Sequence, residues 1–290
     1  QHGTPEQIER YVRPTLTGEM IWCQLFSEPD AGSDLASLRT TAVRDGDEWV
    51  VSGSKVWTSY AHVSSYGILL ARTDPHAKAH QGISYFVCPM SAPGITIRPL
   101  VDMTGDHTFN EVFLDEVRIP ADHLVGEQDR GWALAKVTLA NERVSLSGEG
   151  LIWGRGPTAE DLVGAARGTV GSALQRDALV RAWSESRALA GLRGRLVAAA
   201  LTGRTPGPEA SVRKALADAH GQRVLRLAKD LAGARGMLAS GGPSEDATSA
   251  EWHHGFCFSP ALTIGGGTAE VQRDVIAERV LGLPREPRPS

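Results

Sequence analysis

The segment 111–119 reads EVFLDEVRI and the segment 131–146 reads GWALAKVTLANERVSL, and between them, near Gly126, the period of the chain changes. The first is a short strand-like run set between breakers. In the second, Leu134, Val137 and Val144, continued by Leu151, fall along one helical face with Leu139 and Leu146 beside it, the spacing of a bundle helix. Gly126 therefore separates a β part from a helical part. On the N-terminal side the runs YGILLART (66–73), GISYFVCP (82–89) and GITIRPL (94–100) lie between Pro and Gly breakers. Residues 38–57 carry two alternating runs around Asp45-Gly46-Asp47, a hairpin signal. About seven short strands with no helix between them predict a sandwich or barrel-like domain.

On the other side, runs at 159–174, 177–201, 209–238 and 268–281 are rich in Ala, Leu and Arg and are separated by Gly and Pro clusters. They predict a four- or five-helix bundle. The fold class is thus α+β, a central antiparallel β domain followed by a C-terminal helical bundle, divided as 1–19, 20–126 and 127–290. Within 1–19, Thr4 is placed to cap a short helix, with Pro5 at its first position and Gln7 as the reciprocal partner. That helix is expected to fade near Pro14. Ser211 and Lys214 have the SxxK spacing of some serine hydrolases, but they sit inside an amphipathic helix with no other part of such a site, so the spacing reads as structural.

The 290 residues, 41% hydrophobic and 22% charged, suffice for a sizeable core and two domains. A formal charge of −4 with scattered basic residues gives no footprint for nucleic acid. The three cysteines are far apart and in no metal-ligand spacing, which suits isolated buried thiols, no disulfide, no metal and a reducing compartment such as the cytoplasm. No apolar run approaches the ~20 residues of a membrane span.

The stretch Gln24–Asp34, QLFSEPDAGSD, brings an apolar strand end to a polar turn built from Pro, Gly and side chains that bond nearby backbone. Such a turn offers backbone N–H groups and the hydroxyls of Ser27 and Ser33 to a ligand. SEPDAGSD resembles the flavin-contacting segment of the acyl-CoA dehydrogenase family, and three further blocks match that family in order. Lys55-Val56-Trp57-Thr58-Ser59 is similar to its second flavin segment, NEVFLDEVRIPADHLVG (110–126) to the end of its β domain, and GGGTAEVQRDVIAERVLGL (265–283) to its last helix with the glycine turn before it. Residues 3–19 resemble the final helix of the N-terminal helical domain of full-length members, which implies a fragment or a shortened subunit.

The resemblance implies FAD, an acyl-CoA substrate, a homo- or hetero-oligomer and an electron acceptor such as an electron-transfer flavoprotein. It assigns cofactor contacts to Gln24, Phe26, Ser27, Ser33, Trp57, Ser59, Thr268 and Glu270. Substrate contacts fall to Ser33, Arg143, Gly266 and Gly267. The family often places its catalytic base directly before the Gly-Thr of the C-terminal turn, where this chain has Gly266. Other branches carry the base on the first bundle helix, here Glu142, with Leu139 and Leu146 one turn to either side. Burial there would raise the carboxyl toward the working pH. Glu149 and Glu270 are the other candidates, and Glu270 sits in a helical first turn, where acids are favourable for electrostatic reasons. Gly266 keeps a backbone donor that could polarise a thioester carbonyl. The Arg-x-x-Phe-Gly block that grips the FAD pyrophosphate is not recognisable between Gly156 and Leu189, and the later Gly-Gly turn reads LAGARG (231–236). A second subunit completing the site is the expectation. A flavin oxidase or monooxygenase, a non-catalytic partner subunit and a plain acyl-CoA-binding module remain open alternatives.

Overall fold

The computed structural model describes residues 2–145, 150–168, 170–203, 207–237 and 247–285. The chain falls into two compact units, residues 1–138 and 139–290, and the division lies inside one helix.

The first unit opens with α1 (Pro5–Leu16), held by the capping box expected of Thr4 and Gln7. It runs past Pro14 rather than fading there, since a proline in the last turn of a short helix costs only the one hydrogen bond to the carbonyl four residues back, and the Thr15 and Thr17 hydroxyls bond back to the Tyr11 and Arg13 carbonyls. The Gln7 amide also donates to the Asp122 and Leu124 carbonyls at 2.7 and 2.9 Å. Tyr11 meets the rings of Trp22 and Tyr66 edge-on at 5.4 and 5.2 Å, which docks α1 on the sheet.

The sheet has seven strands: β1 (Trp22–Leu25), β2 (Thr41–Asp45), β3 (Glu48–Ser59), β4 (Tyr66–Arg72), β5 (Ile83–Pro89), β6 (Ile95–Leu100) and β7 (Phe109–Pro120). β2 and β3 form the hairpin expected around Gly46, with Asp45 opposite Glu48. β3 pairs β7, β7 pairs β6 and β4 pairs β5, all antiparallel. The antiparallel expectation needs one correction. β1 runs parallel to β4, and β2 touches the same strand in parallel at Thr41 and Arg72. The long excursion between β1 and β4 permits this, since a parallel pair needs a crossover rather than a tight turn. Leu25, Val51, Leu69, Phe86, Val112 and Ile119 form the centre of the core.

α2 (Gly131–Ser145) spans the division. Its expected apolar stripe does not hold: Leu134 is buried but Val137 is exposed, and Leu151 is buried in a turn beyond the helix end. Val144's side chain and Leu146 lie outside the described residues. The second unit holds α3 (Ala159–Ala165), α4 (Ala173–Leu201), α5 (Glu209–Ala232), α6 (Ala247–Phe258) and α7 (Ala269–Val275), the last followed by a π-helical turn over Ile276–Val280. α6 is a helix the sequence pattern did not announce. Leu151, Leu162, Leu179, Val224, Leu225 and Trp252 anchor the core of this unit. Ser211 and Lys214 are fully buried on α5, and the Lys214 ammonium is directed at Asp218 and the Leu262 carbonyl at 2.6 and 3.3 Å, in keeping with the structural reading of that motif.

Candidate active site

In the first unit the site is built on the turn after β1. Glu28 and Ala31 exchange backbone hydrogen bonds at 3.0 Å, closing the turn, and the Ser27 carbonyl accepts from the Val56 amide at 2.9 Å, tying it to β3. The Glu28 carboxylate is buried and accepts from the Arg39 and Thr40 amides at 2.6 and 2.9 Å and from Lys55 at 2.8 Å. Lys55, fully buried, donates in addition to the Phe26 and Leu70 carbonyls at 3.1 and 2.9 Å. Burial pushes the Lys55 ammonium down to about 8 against the pull of Glu28. Burial pushes Glu28 up, but the Lys55 charge and the hydrogen bonds outweigh it and hold the carboxyl below its usual range. Neither residue was read as part of the site, because two charges 27 positions apart carry no pattern a single sequence displays.

This anchor leaves Pro29, Asp30, Gly32, Ser33 and Asp34 exposed, with Gln24 and Ser27 half-buried. The Phe26 ring is buried and meets Tyr85 edge-on at 6.1 Å, and its carbonyl is held by Lys55. A register shift between Lys55 and Thr58 bulges β3 outward. At that bulge Trp57 adopts φ +59° and is 62% exposed, so it is not a core tryptophan. A left-handed aromatic residue in a strand is strained by ~1–3 kcal/mol and survives only where its surroundings fix it. The buried Asn110 supplies that, donating to the Thr58 and Thr108 carbonyls at 3.0 and 3.2 Å. Phe109 supports the indole edge-on at 5.9 Å, and Ser59 is half-buried one residue beyond Thr58.

In the second unit, Glu142 is half-buried near the end of α2. The side chain of Arg143, and Glu149, lie outside the described residues. The glycine turn before α7 has φ +66° at Gly266 and +92° at Gly267, values that favour glycine. The Gln272 carboxamide, fully buried, donates to the Gly266 and Gly267 carbonyls at 3.2 and 3.1 Å. A side chain on Gly265 would strike the Trp153 ring at 2.6 Å. Thr268 caps α7, its hydroxyl accepting from the Val271 amide at 3.3 Å. Glu270 is exposed and pairs with Arg273 at 3.3 Å; its own backbone N–H first, then the Thr268 hydroxyl, lower its carboxyl. Two carbonyls held by one buried amide fix the peptide planes that follow Gly266 and Gly267, and so fix where the Gly267 and Thr268 N–H groups point. Gln272, like Asn110, was missed because buried amides leave no periodic signal.

Both units match family models, residues 23–117 the acyl-CoA dehydrogenase middle domain and residues 129–281 the acyl-CoA dehydrogenase C-terminal domain. The chain belongs to the acyl-CoA dehydrogenase family. Among its relatives in Mycobacterium tuberculosis, it is 45% identical over 98% of its length to one named acyl-CoA dehydrogenase FadE34, and 42% identical, again over 98%, to one named acyl-CoA dehydrogenase IpdE1. It spans 38% of the length of the first and 72% of the second. Its fold matches a chain of the ChsE4-ChsE5 complex from Mycobacterium tuberculosis with a TM-score of 0.86 at 33% identity, covering 98% of this chain and 74% of that one. It matches a chain of the Tcur3481-Tcur3483 steroid ACAD with a TM-score of 0.88 at 32% identity, with the same coverage. Among the described residues no helix is long and apolar enough to cross a membrane.

Proposed function

We propose that this chain takes part in flavin-dependent α,β-dehydrogenation of an acyl-CoA thioester, as one subunit of an oligomer. The residues present fit a flavin: the Trp57 indole offers a flat apolar face held off the sheet, and Ser27, Ser33 and Ser59 supply hydroxyl donors on an anchored frame. Gln24 and Phe26 from β1 and the turn after it, with Thr268 and Glu270 at the start of α7, complete the proposed cofactor contacts, Phe26 through its backbone. FAD, when bound, supplies the acceptor for the β hydride. An electron-transfer flavoprotein is the proposed recipient of those electrons.

The substrate's acyl-CoA is proposed to meet Ser33, Arg143 and the turn at Gly266 and Gly267, whose backbone N–H groups would polarise the thioester carbonyl. The proton on the α carbon is then acidified and passes to Glu142. The observation that carries this assignment is the turn itself: Gly266 has no side chain to act as a base, whereas Glu142 is a half-buried carboxylate on α2. Replacing Glu142 by Gln keeps shape and removes the acceptor. Stopped-flow bleaching of the flavin by substrate should fall by at least ~10²–10⁴-fold, with FAD and acyl-CoA still bound. Bleaching that persists in Glu142→Gln and disappears in Glu270→Gln moves the base to α7.

A second, different subunit is proposed to complete the cofactor site. The missing pyrophosphate block motivates this, and two solved relatives carry the names of two chains. Three free cysteines suit a reducing compartment, and the cytoplasm is the proposed location. FAD absorbance and size of the chain, alone and co-expressed with candidate partners, test the arrangement. A monomer holding stoichiometric FAD defeats it.

A further inference from the structure

The proposed reaction uses the glycine turn before α7 but leaves unused the loop that lies against it. Between the end of α2 and α3, Ile152 and Arg155 exchange backbone hydrogen bonds at 2.9 and 3.0 Å and close a two-residue turn. Its central residues, Trp153 and Gly154, have φ +48° and +80°. Turns with positive φ at both central places ordinarily carry Asn, Asp or Gly there, so a tryptophan at the first place goes against local preference. The Trp153 indole N–H is also buried with no partner among the described residues. Both features are local costs, and a side chain that bears two of them is held there by where its ring lies.

One edge of that ring meets Phe258, the last residue of α6, at 5.2 Å and 90°. The neighbouring Cys257 is half-buried rather than fully enclosed, which corrects the expectation of three isolated buried thiols. The far edge meets Gly265: a Cβ placed on this glycine would stand 2.6 Å from both Cζ2 and Cη2 of the indole. Gly266 and Gly267 have left-handed φ values and Gly265 does not. Gly265 therefore lacks a side chain to make room for the ring, not to reach an unusual conformation. On its backbone, the Gly265 N–H donates to the Ala261 carbonyl at 2.9 Å, beside the Ile264 N–H at 3.0 Å. Ring and hydrogen bond together remove the freedom a glycine otherwise has about its two dihedrals.

The Gly265 carbonyl and the Gly266 N–H share one peptide plane. Gln272 donates to the carbonyls of Gly266 and Gly267, in the two planes that follow. Trp153 and Gln272 thus act on different peptides of the same turn. We infer that Trp153 is a positioning residue of the thioester site, fixing through Gly265 the peptide that carries the Gly266 N–H. The inference rests on the role proposed above for this turn.

The test makes Trp153→Phe, whose shorter ring no longer reaches Gly265, and Gly265→Ala, whose methyl displaces the indole. Hydrogen exchange in the purified assembly should quicken at Ile264 and Gly265 by about tenfold or more in each, with α4 unchanged. Flavin bleaching at saturating substrate should slow by about 10–100-fold, with the half-saturating concentration nearly unchanged. In the double variant the methyl takes the space the indole edge left, so most of the protection and of the rate should return. Unchanged exchange at Ile264 and Gly265 in both single variants overturns the inference, as does acceleration spread evenly over the helical unit. Faster exchange with bleaching intact, or a double variant no better than the worse single one, also overturns it. The exchange arm needs neither flavin nor substrate. Bleaching that persists in Glu142→Gln would defeat the proposed base and leave that arm to decide on Trp153.

Discussion

The two units each bury a Lys–carboxylate pair, and the pairs behave in opposite ways. Glu28 and Lys55 lie 2.8 Å apart in the first unit, Asp218 and Lys214 lie 2.6 Å apart in the second, and all four side chains are at least nine-tenths buried. Glu28 sits below the usual carboxyl range, whereas burial pushes Asp218 up to about 6. The distance to the cation does not explain this, since the Asp218 pair is the shorter. The difference lies in the other donors: Glu28 also accepts from two backbone amides, and Asp218 has no such support among the described hydrogen bonds. A lysine alone does not compensate the loss of water around a buried carboxylate, while a lysine with two amides does. The supported pair holds the loop proposed to meet the cofactor, and the unsupported one staples two parts of a helical core.

The strongest way to break this comparison is Lys55→Met. It leaves a buried carboxylate against two amides and removes three bonds that join Phe26, Glu28 and Leu70. The expected cost is about 3–5 kcal/mol of stability by chemical denaturation, together with loss of FAD from the assembly. Adding Glu28→Gln should restore about 1 kcal/mol or more. A single variant that unfolds at the wild-type denaturant midpoint would show that the pair holds nothing.

Lys214→Met should cost less, about 1–3 kcal/mol at pH 8, because Asp218 can escape its predicament by taking up a proton. The cost should shrink by pH 5, below the value of about 6 at which Asp218 is already protonated in the wild type. The two carboxylates also tilt the stability curve in opposite directions. Glu28 has a lowered folded value, so its contribution is present above 4.5 and is lost as pH falls through that folded value. Asp218 has a raised one, so its contribution is present below 3.8 and is lost as pH rises through about 6. The wild-type stability minus that of Asp218→Asn should therefore decline between pH 4 and pH 6, by no more than about 1 kcal/mol per pH unit at its steepest. A difference that rises over that window reverses the assignment.

The same contrast explains what the sequence disclosed. The strand β7 was legible because alternation along 111–119 is a direct image of one buried face, and the cap of α1 because Thr4, Pro5 and Gln7 act within one turn. α6 was not. Its sequence ATSAEWHHGFCF has no apolar stripe, and Gly255 lies inside it because a side chain there would strike Leu225 at 2.7 Å. Tertiary packing overrides the low helix propensity of that segment. The turn at 24–34 was legible as a ligand-facing loop from its composition, but what stiffens it was not, because Glu28 and Lys55 look like surface charges until the fold brings them together. Asn110 and Gln272 are hidden for the same reason: each works on backbone carbonyls that the sequence does not place.

Gln272 supplies the smallest effect and the finest test of the comparison, because it is a buried neutral group doing what the charged pairs do. Its Nε2 serves two carbonyls, while its Oε1 is buried with no partner among the described residues. Replacing it by Met fills similar volume, removes both donated bonds and also removes the unpartnered oxygen. Losses and relief then nearly cancel, so the cost in stability should be about 1 kcal/mol, well under that of Lys55→Met. The effect on chemistry should be larger than the effect on stability. Without Gln272 the peptide planes that follow Gly266 and Gly267 can turn, and the Gly267 N–H, one of the donors proposed to polarise the thioester, loses its fixed direction, as an oxyanion donor must not. Flavin bleaching by substrate should therefore slow by about tenfold or more, with substrate affinity nearly unchanged. Gln272→Glu, which places a carboxylate against the same two carbonyls, should lose more of both. If Gln272→Met instead weakens stability by several kcal/mol and leaves bleaching intact, the amide is a packing element and the turn owes its shape to its glycines alone.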